Sequence, residues 1–207
     1  MTGPAPAPHA VIEWGVASRP IPGESESGDV HVVATLNGGA LVGAIDGLGH
    51  GPEAAKAARR AADLLLATPS HSLKDLVERC HKALLRSRGA VMTLAWLDAR
   101  SEQLTWTAVG NVEAVLYRAT KGAVARDTIV PRSGVVGYQL PVLRVNTLPV
   151  SRGDVLVFAT DGIDHGFISE PLPLASAQDC ASGLLDRYAK DSDDALVLIV
   201  RYLGLAS

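Results

Sequence analysis

The chain has 207 residues, 47% of them hydrophobic, so it is long enough for one well-buried domain and too apolar to be intrinsically disordered. Its formal net charge is −3 and its lysines and arginines form no dense run, which argues against nucleic acid or an anionic membrane surface as the main partner. No apolar stretch approaches the roughly 18 residues that span a bilayer, and the first ten residues lack the pattern of a signal peptide. Cys80 and Cys180 lie far apart in helical patterns, which predicts reduced core cysteines in a cytoplasmic protein.

The chain begins with residues 1–9, in which proline alternates with small residues. This composition predicts a flexible segment before a single domain over residues 10–207. Val30 to Leu36 and Ala40 to Ile45 are predicted strands, joined as a hairpin by Asn37-Gly38-Gly39. A hairpin of this kind fixes which residues face each other across its two strands.

Three helices are predicted between the strands. Pro52 is expected to open the first, which ends near Leu66, because the missing N–H of proline costs nothing in a first helical turn. The second follows Ser72, which with Asp75 resembles a capping box. Its apolar residues recur at helical spacing: Leu73, Leu76, Val77, Cys80 and Leu84. The third covers residues 175–189.

Strand patterns dominate the second half of the chain. They are Ala90 to Leu97, Gln103 to Val109, Val112 to Arg118, Val142 to Thr147, Val155 to Thr160 and Ala195 to Tyr202. Unbroken apolar strands indicate burial on both faces, yet a doubly wound parallel sheet needs about one helix per crossover. Many strands with three helices therefore predict an α/β fold of two stacked, mainly antiparallel sheets flanked by helices, a four-layer α/β/β/α sandwich.

Acidic residues fall at the ends of several predicted strands. The hairpin places Asp29, just before its first strand, opposite Asp46, just after its second. Asp161 follows one apolar strand and Asp193-Asp194 precedes another. Each acid alone could simply cap a strand or occupy a turn. Crowded at one sheet end, they would repel one another and need cations, and oxygen ligands without His or Cys select Mg²⁺, Mn²⁺ or Ca²⁺.

These acids stand in four motifs that follow one another along the chain. The motifs are Ser27-Gly28-Asp29, Asp46-Gly47-Leu48-Gly49-His50-Gly51 before a helix, Thr160-Asp161-Gly162, and Asp193-Asp194-Ala195-Leu196-Val197 entering the last strand. In order and spacing they resemble the SpoIIE-like branch of the PPM metal-dependent serine/threonine phosphatases, over about residues 10–203. Within that branch the chain is most similar to the stand-alone RsbX-type phosphatases, which act on phosphorylated components of the bacterial stressosome.

The resemblance implies how the site would work. Two Mn²⁺ or Mg²⁺ ions would be bridged by Asp46, and the carbonyl of Gly47 would help to hold the second ion. Asp29 would serve the second ion, and Asp161 and Asp193 the first, so Asp46, Asp29 and Asp161 are the expected catalytic residues. A water between the ions would have its pKa lowered and would attack phosphorus directly.

Three positions leave alternatives open. Asp194 is the alternative to Asp193 as a metal ligand. His50, four residues after Asp46, could act as a general acid for the leaving seryl oxygen or could organise the backbone at the helix entrance. Gly110-Asn111 stands where many relatives carry Gly-His, which could shape the site differently.

The resemblance implies phosphorylated STAS-domain proteins of the stressosome type as partners, and we expect the protein to act as a monomer that resets a stress-signalling pathway. A phosphatase of an anti-anti-sigma factor is an alternative with the same chemistry. A rival of another class is a pseudophosphatase, which binds a phosphoprotein without turnover. Such a module is expected to lose one of the metal-binding acids, whereas Asp29, Asp46, Asp161 and Asp193 are all present.

Overall fold

The structure is a computed structural model that describes residues 10–36, 38–119, 125–169, 171–172 and 174–205. The flexible segment expected over residues 1–9 lies outside the described residues, as does Asn37 of the predicted hairpin turn. Within them, the three predicted helices and both strands of the predicted hairpin are present.

Ten strands and three α-helices make up the regular structure of the described residues. The strands are β1 Ile12–Arg19, β2 Asp29–Leu36, β3 Gly39–Gly47, β4 Ala90–Asp98, β5 Gln103–Val109, β6 Glu113–Tyr117, β7 Arg126–Thr128, β8 Asn146–Pro149, β9 Val155–Ala159 and β10 Ala195–Tyr202. The helices are α1 Pro52–Ala67, α2 Leu73–Leu84 and α3 Ala177–Tyr188, with a short 3₁₀ helix over His165–Ser169. No helix in the described part of the chain is long and apolar enough to span a membrane.

The strands form two five-stranded antiparallel sheets. One has the order β1-β10-β9-β6-β7 and the other β2-β3-β4-β5-β8. An apolar core that includes Trp106, Phe158 and Tyr202 fills the space between them. Helices α1 and α2 pack on the outer face of the second sheet, and α3 packs on the outer face of the first. The predicted four-layer α/β/β/α sandwich is therefore confirmed.

Helix α1 lies close to its sheet because its buried face is built mainly of alanine. The buried residues of this helix are Ala54, Ala55, Ala57, Ala58, Ala61, Ala62 and Leu65. A Cβ atom on Gly47 would lie 2.1 Å from the carbonyl oxygen of Ala54, so only glycine fits between the end of β3 and the first turn of α1. The helix thus begins directly beside the end of β3 that carries Asp46.

Some local predictions differ from the structure. The strand predicted over Val142 to Thr147 is wrong in its bounds, because the chain pairs with β5 only from Asn146 onward. The predicted capping box does not form, since the hydroxyl of Ser72 donates to the carboxylate of Asp75 at 2.7 Å and makes no hydrogen bond to a helix N–H. The sequence patterns do not predict β1 or β7, because β1 is mostly half-buried and β7 has three residues.

Candidate metal centre

The hairpin of β2 and β3 brings the first two acids together. Asp29 and Asp46 are direct partners in its antiparallel register, which confirms the convergence predicted from the turn. Directly opposed residues of this kind have Cβ atoms about 4.5–5.5 Å apart. The amide of Gly47 donates to the carbonyl oxygen of Gly28 at 3.0 Å, so the pairing continues one residue beyond Asp46.

The other sheet contributes the remaining acids. Strands β9 and β10 are antiparallel neighbours, so Asp161, after β9, and Asp193-Asp194, before β10, lie at the same end of this sheet. Thr160 connects the two sheets there, because its hydroxyl donates to the carboxylate of Asp29 at 2.7 Å. The four acids expected to bind metal therefore meet at one end of the sandwich.

Burial and mutual repulsion disfavour the ionised forms of the carboxyl groups at this end of the molecule. Burial, followed by the charges of Asp29, Asp161 and Asp193, raises the pKa of Asp46 to about 9. Burial also raises the pKa of Asp29 to about 7, although the hydrogen bond from Thr160 opposes this shift. The pKa of Asp161 is raised by burial first and by Asp193 second. Cations bound here would stabilise the ionised carboxylates.

The donor set fits a hard divalent cation that keeps part of its water shell. No three His, Cys, Asp or Glu side chains among the described residues form a ready-made cage for one ion. Mg²⁺ keeps several of its waters when it binds, so the site does not need a complete protein cage in the absence of the ion. The carboxylate of Asp46 accepts no hydrogen bond from the described residues and is therefore available as a ligand. The acids at this end supply oxygen ligands alone, which suits Mg²⁺ or Mn²⁺.

The two adjacent acids before β10 have different surroundings. Asp194 is 3% exposed, and its two carboxylate oxygens accept hydrogen bonds from the amides of Ile21 and Gly28, both at 2.7 Å. Asp193 is half-buried, and one of its oxygens accepts the amide of Asp194 at 2.9 Å. Because Asp194 already uses both oxygens to hold the chain before β2, this geometry favours Asp193 as the ligand.

Two polar side chains hold Asp161, and the sequence interpretation gave neither of them this role. The side-chain amide of Asn111 donates to Oδ2 of Asp161 at 2.7 Å. The ammonium of Lys190 donates to the backbone carbonyl of Asp161 at 2.8 Å. The Gly110-Asn111 pair was a recognisable signal, since it departs from the Gly-His of many relatives. Nothing in the spacing along the chain pointed to Lys190, because this contact joins residues 29 positions apart.

The two Asp-Gly pairs have a steric explanation. A Cβ atom on Gly162 would lie 2.0 Å from the carbonyl oxygen of Asp194, just as one on Gly47 would meet the backbone of α1. At both positions the backbone of another element approaches the glycine too closely for any side chain. The glycine after each acid therefore lets a second chain segment pack against the site.

His50 lies at the surface beside the entrance to α1. Its Nδ1 is 3.0 Å from Oε1 of Glu24, and its side chain is 61% exposed. Gly49 and Gly51, on either side of it, have positive φ angles of 85° and 75°. This geometry favours the interpretation that His50 helps to organise the loop before α1.

Known families and structures resemble this chain along most of its length. The sequence model of the family described as Stage II sporulation protein E (SpoIIE) matches residues 37–203. The phosphoserine phosphatase RsbX of Bacillus subtilis (strain 168) is 24% identical over 182 residues, which are 88% of this chain and 90% of RsbX.

Two solved structures show the same fold. One, from work on the bacterial stressosome as a modular system adapted to control secondary messenger signalling, has a TM-score of 0.84 and 30% sequence identity, covering 92% of this chain and 99% of that chain. RsbX in complex with magnesium has a TM-score of 0.83 at 22% identity, covering 96% of this chain and 98% of that chain.

Proposed function

Since this chain belongs to the SpoIIE family, a branch of the PPM metal-dependent serine/threonine phosphatases, we propose that it hydrolyses phosphoserine or phosphothreonine in regulatory proteins. The observation that carries this proposal is the meeting of Asp29, Asp46 and Asp161 at one end of the two sheets, where burial disfavours their charged forms. Such a cluster is stabilised by bound cations and is then able to bind a phosphoryl group through them.

The protein residues have distinct roles in this proposal. Asp46 would contribute its carboxylate to both Mg²⁺ or Mn²⁺ ions, because it is buried among the other acids and no described residue donates a hydrogen bond to it. The carbonyl of Gly47 and the carboxylate of Asp29 would serve one ion, and Asp161 and Asp193 would serve the other. Thr160 holds one oxygen of Asp29 and so leaves its other oxygen for the metal side. This hydrogen bond fixes the orientation of Asp29, as supporting residues do in metal sites generally.

The reaction needs little covalent participation from the protein. When bound, the ions supply Lewis acidity, which lowers the pKa of a water and neutralises charge on the phosphoryl oxygens. Hydrolysis forms a bond from the water oxygen to phosphorus and breaks the bond from phosphorus to the serine oxygen. A proton of the water passes to the serine oxygen, which leaves serine and inorganic phosphate. The residues of the chain hold the carboxylates in place and position the substrate for in-line attack.

As the substrate we propose a phosphorylated protein of the stressosome type with a STAS domain, so that the enzyme resets a stress-signalling pathway. The similarity to the phosphoserine phosphatase RsbX over 88% of the chain supports this substrate class. The 30% identity to a structure from work on the stressosome supports it as well.

The test measures phosphate release from a phosphoserine protein of this type, with Mg²⁺, with Mn²⁺ and with EDTA. Asp46→Asn is expected to abolish release, and Asp63→Asn, an exposed acid on α1, is the matched control and should keep full activity. Circular dichroism establishes that both variants fold. Binding of the phosphoprotein without any release of phosphate by the wild-type protein would replace this proposal with the pseudophosphatase hypothesis.

A further inference from the structure

A second feature lies on the same sheet end as the candidate site. Asp46 in β3 is opposite Val91 in β4. Gly110, directly after β5, lies against Val91, because a Cβ atom on Gly110 would be 2.2 Å from the Val91 side chain. The amide of Gly110 donates to the carbonyl oxygen of Arg132 at 2.9 Å. Asp46, Val91, Gly110 and Arg132 therefore form a row across this end of the sheet.

The end of this row is a cleft of about 370 Å³ with two arginines in its wall. Its lining residues are Arg132, Ser133, Pro141, Val142 and Arg144. Backbone hydrogen bonds fix the chain at both arginines of the cleft. The carbonyl oxygen of Arg132 accepts the amide of Gly110, and the carbonyl oxygen of Arg144 accepts the hydroxyl of Thr107 at 2.8 Å.

Both guanidinium groups are available for a ligand. Neither Arg132 nor Arg144 forms a salt bridge with an acid of the described residues. Arg19, Arg59, Arg118 and Arg201, in contrast, are each paired with a carboxylate. An arginine fork binds carboxylate and phosphate groups well, so this cleft suits an anionic group.

The segment around the cleft also exposes apolar side chains. Val142 in the cleft wall is 88% exposed, and Val130 and Tyr138 on the same segment are 78% and 82% exposed. Exposed apolar side chains concentrated beside charged ones are typical of surfaces that bind other proteins. A small phosphate ester is too short to contact these apolar side chains, whereas a protein substrate is large enough to do so.

The distance from the acids indicates which part of a substrate would reach the cleft. Neighbouring strands are about 4.8 Å apart, so Arg132 lies about 14 Å from Asp46, three strand spacings along the row. An extended peptide rises about 3.3 Å per residue, so this span corresponds to roughly four residues. A phosphoserine at the acids would therefore present a residue some three to five positions away to the two arginines.

We propose that the cleft of Arg132 and Arg144 is a recognition subsite for an acidic side chain of the protein substrate, three to five residues from the phosphoserine. The inference rests on the proposed function and adds to it the kind of sequence that the enzyme prefers. The guanidinium groups bind the carboxylate, and Val142 contacts an apolar neighbour of that acid.

The test uses two labelled peptides that carry a non-hydrolysable phosphonate analogue in place of the phosphoserine, and it measures their binding by fluorescence anisotropy at low ionic strength with Mg²⁺. One peptide carries Glu at the third to fifth positions on both sides of the phosphonate, and the other carries Gln there. The binding protein is the full chain with all of its metal-binding acids intact, and the non-hydrolysable phosphonate prevents turnover during the measurement. The test variant carries Arg132→Gln and Arg144→Gln together. The matched control is Arg152→Gln, which changes an exposed arginine just before β9, at the end of that strand opposite Asp161.

A preference of about tenfold for the Glu peptide is expected, because one charge-assisted contact is worth roughly that factor. The double arginine variant should lose the preference and Arg152→Gln should keep it. Equal binding of both peptides, or a preference that persists in the double variant, would overturn the subsite. Because this measurement needs no turnover, failure of the phosphatase proposal would show separately, as absent phosphate release by the wild-type chain.

Discussion

Asp194→Asn tests the assignment of the two adjacent acids before β10. In the structure Asp194 is buried, and each of its oxygens accepts a backbone amide at 2.7 Å, from Ile21 and from Gly28. Asparagine has one acceptor oxygen, so one of these amides would face an NH₂ group and lose its partner. Leaving a buried amide without an acceptor costs about 1–3 kcal/mol. Removing a negative charge also relieves some repulsion on Asp29, but Asp194 is a smaller cause of its pKa shift than burial, so the lost hydrogen bond should dominate.

A loss of about 2 kcal/mol corresponds to a fall in Tm of about 4–8 °C for a chain of this size. The assay is thermal unfolding with EDTA, followed by titration of activity with Mg²⁺. Asp193→Asn is the matched comparison: it should change Tm little, because Asp193 is half-buried, and should abolish metal-dependent activity. The reasoning is refuted if Asp194→Asn keeps the Tm of the wild-type protein and loses metal-dependent activity, since Asp194 would then be the ligand.

Three further outcomes are expected. Gly47→Ala should lower Tm and abolish activity, because the added Cβ atom would lie 2.1 Å from the Ala54 carbonyl oxygen. Gly183→Ala in α3 is the control and should fold normally, because the space around Gly183 is open. Equal Tm values for the two variants would contradict the packing argument. Without metal, the protein should lose stability as pH rises from about 4 to 9, because the folded state keeps protons on Asp29 and Asp46 that the unfolded state releases at its lower pKa. Mg²⁺ should flatten this dependence of stability on pH. Thermal unfolding measured against pH, with EDTA and with Mg²⁺, tests both statements, and identical curves would contradict them. Asn111→Ala should weaken Mg²⁺ binding about tenfold, because Asp161 loses the hydrogen bond from Asn111. The dependence of activity on Mg²⁺ concentration measures this change. An unchanged dependence would show that Asn111 does not support the metal ligands.

The parts of the fold that depend on local pattern could be predicted from the sequence. The turn after Leu36 fixed the register of the first hairpin, and the facing of Asp29 and Asp46 followed from that register. The ratio of strands to helices excluded a doubly wound parallel sheet, and the structure has two antiparallel sheets. Both predictions depend on rules that act within a few residues or on simple counts.

The contacts between distant segments could not be predicted in this way. Thr160 and Asp29 are 131 positions apart, and Asp194 and Gly28 are 166 positions apart, yet these hydrogen bonds fix the orientation of the acids. The strand pattern beginning at Val142 was misleading for a related reason. Val142 and Val145 are exposed, Leu143 packs partly buried against the core, and the chain pairs with β5 only from Asn146. Whether an apolar residue faces the core or the solvent depends on the assembled fold.

The most direct test of the account is phosphate release from a phosphoserine protein by the purified chain, first after treatment with EDTA and then after addition of Mg²⁺ or Mn²⁺. The account predicts no release with EDTA, full recovery with either ion, and no recovery in Asp46→Asn. Release that continues at full rate with EDTA, or that Asp46→Asn leaves intact, would contradict the claim that the acids at this end of the sandwich form a catalytic metal centre.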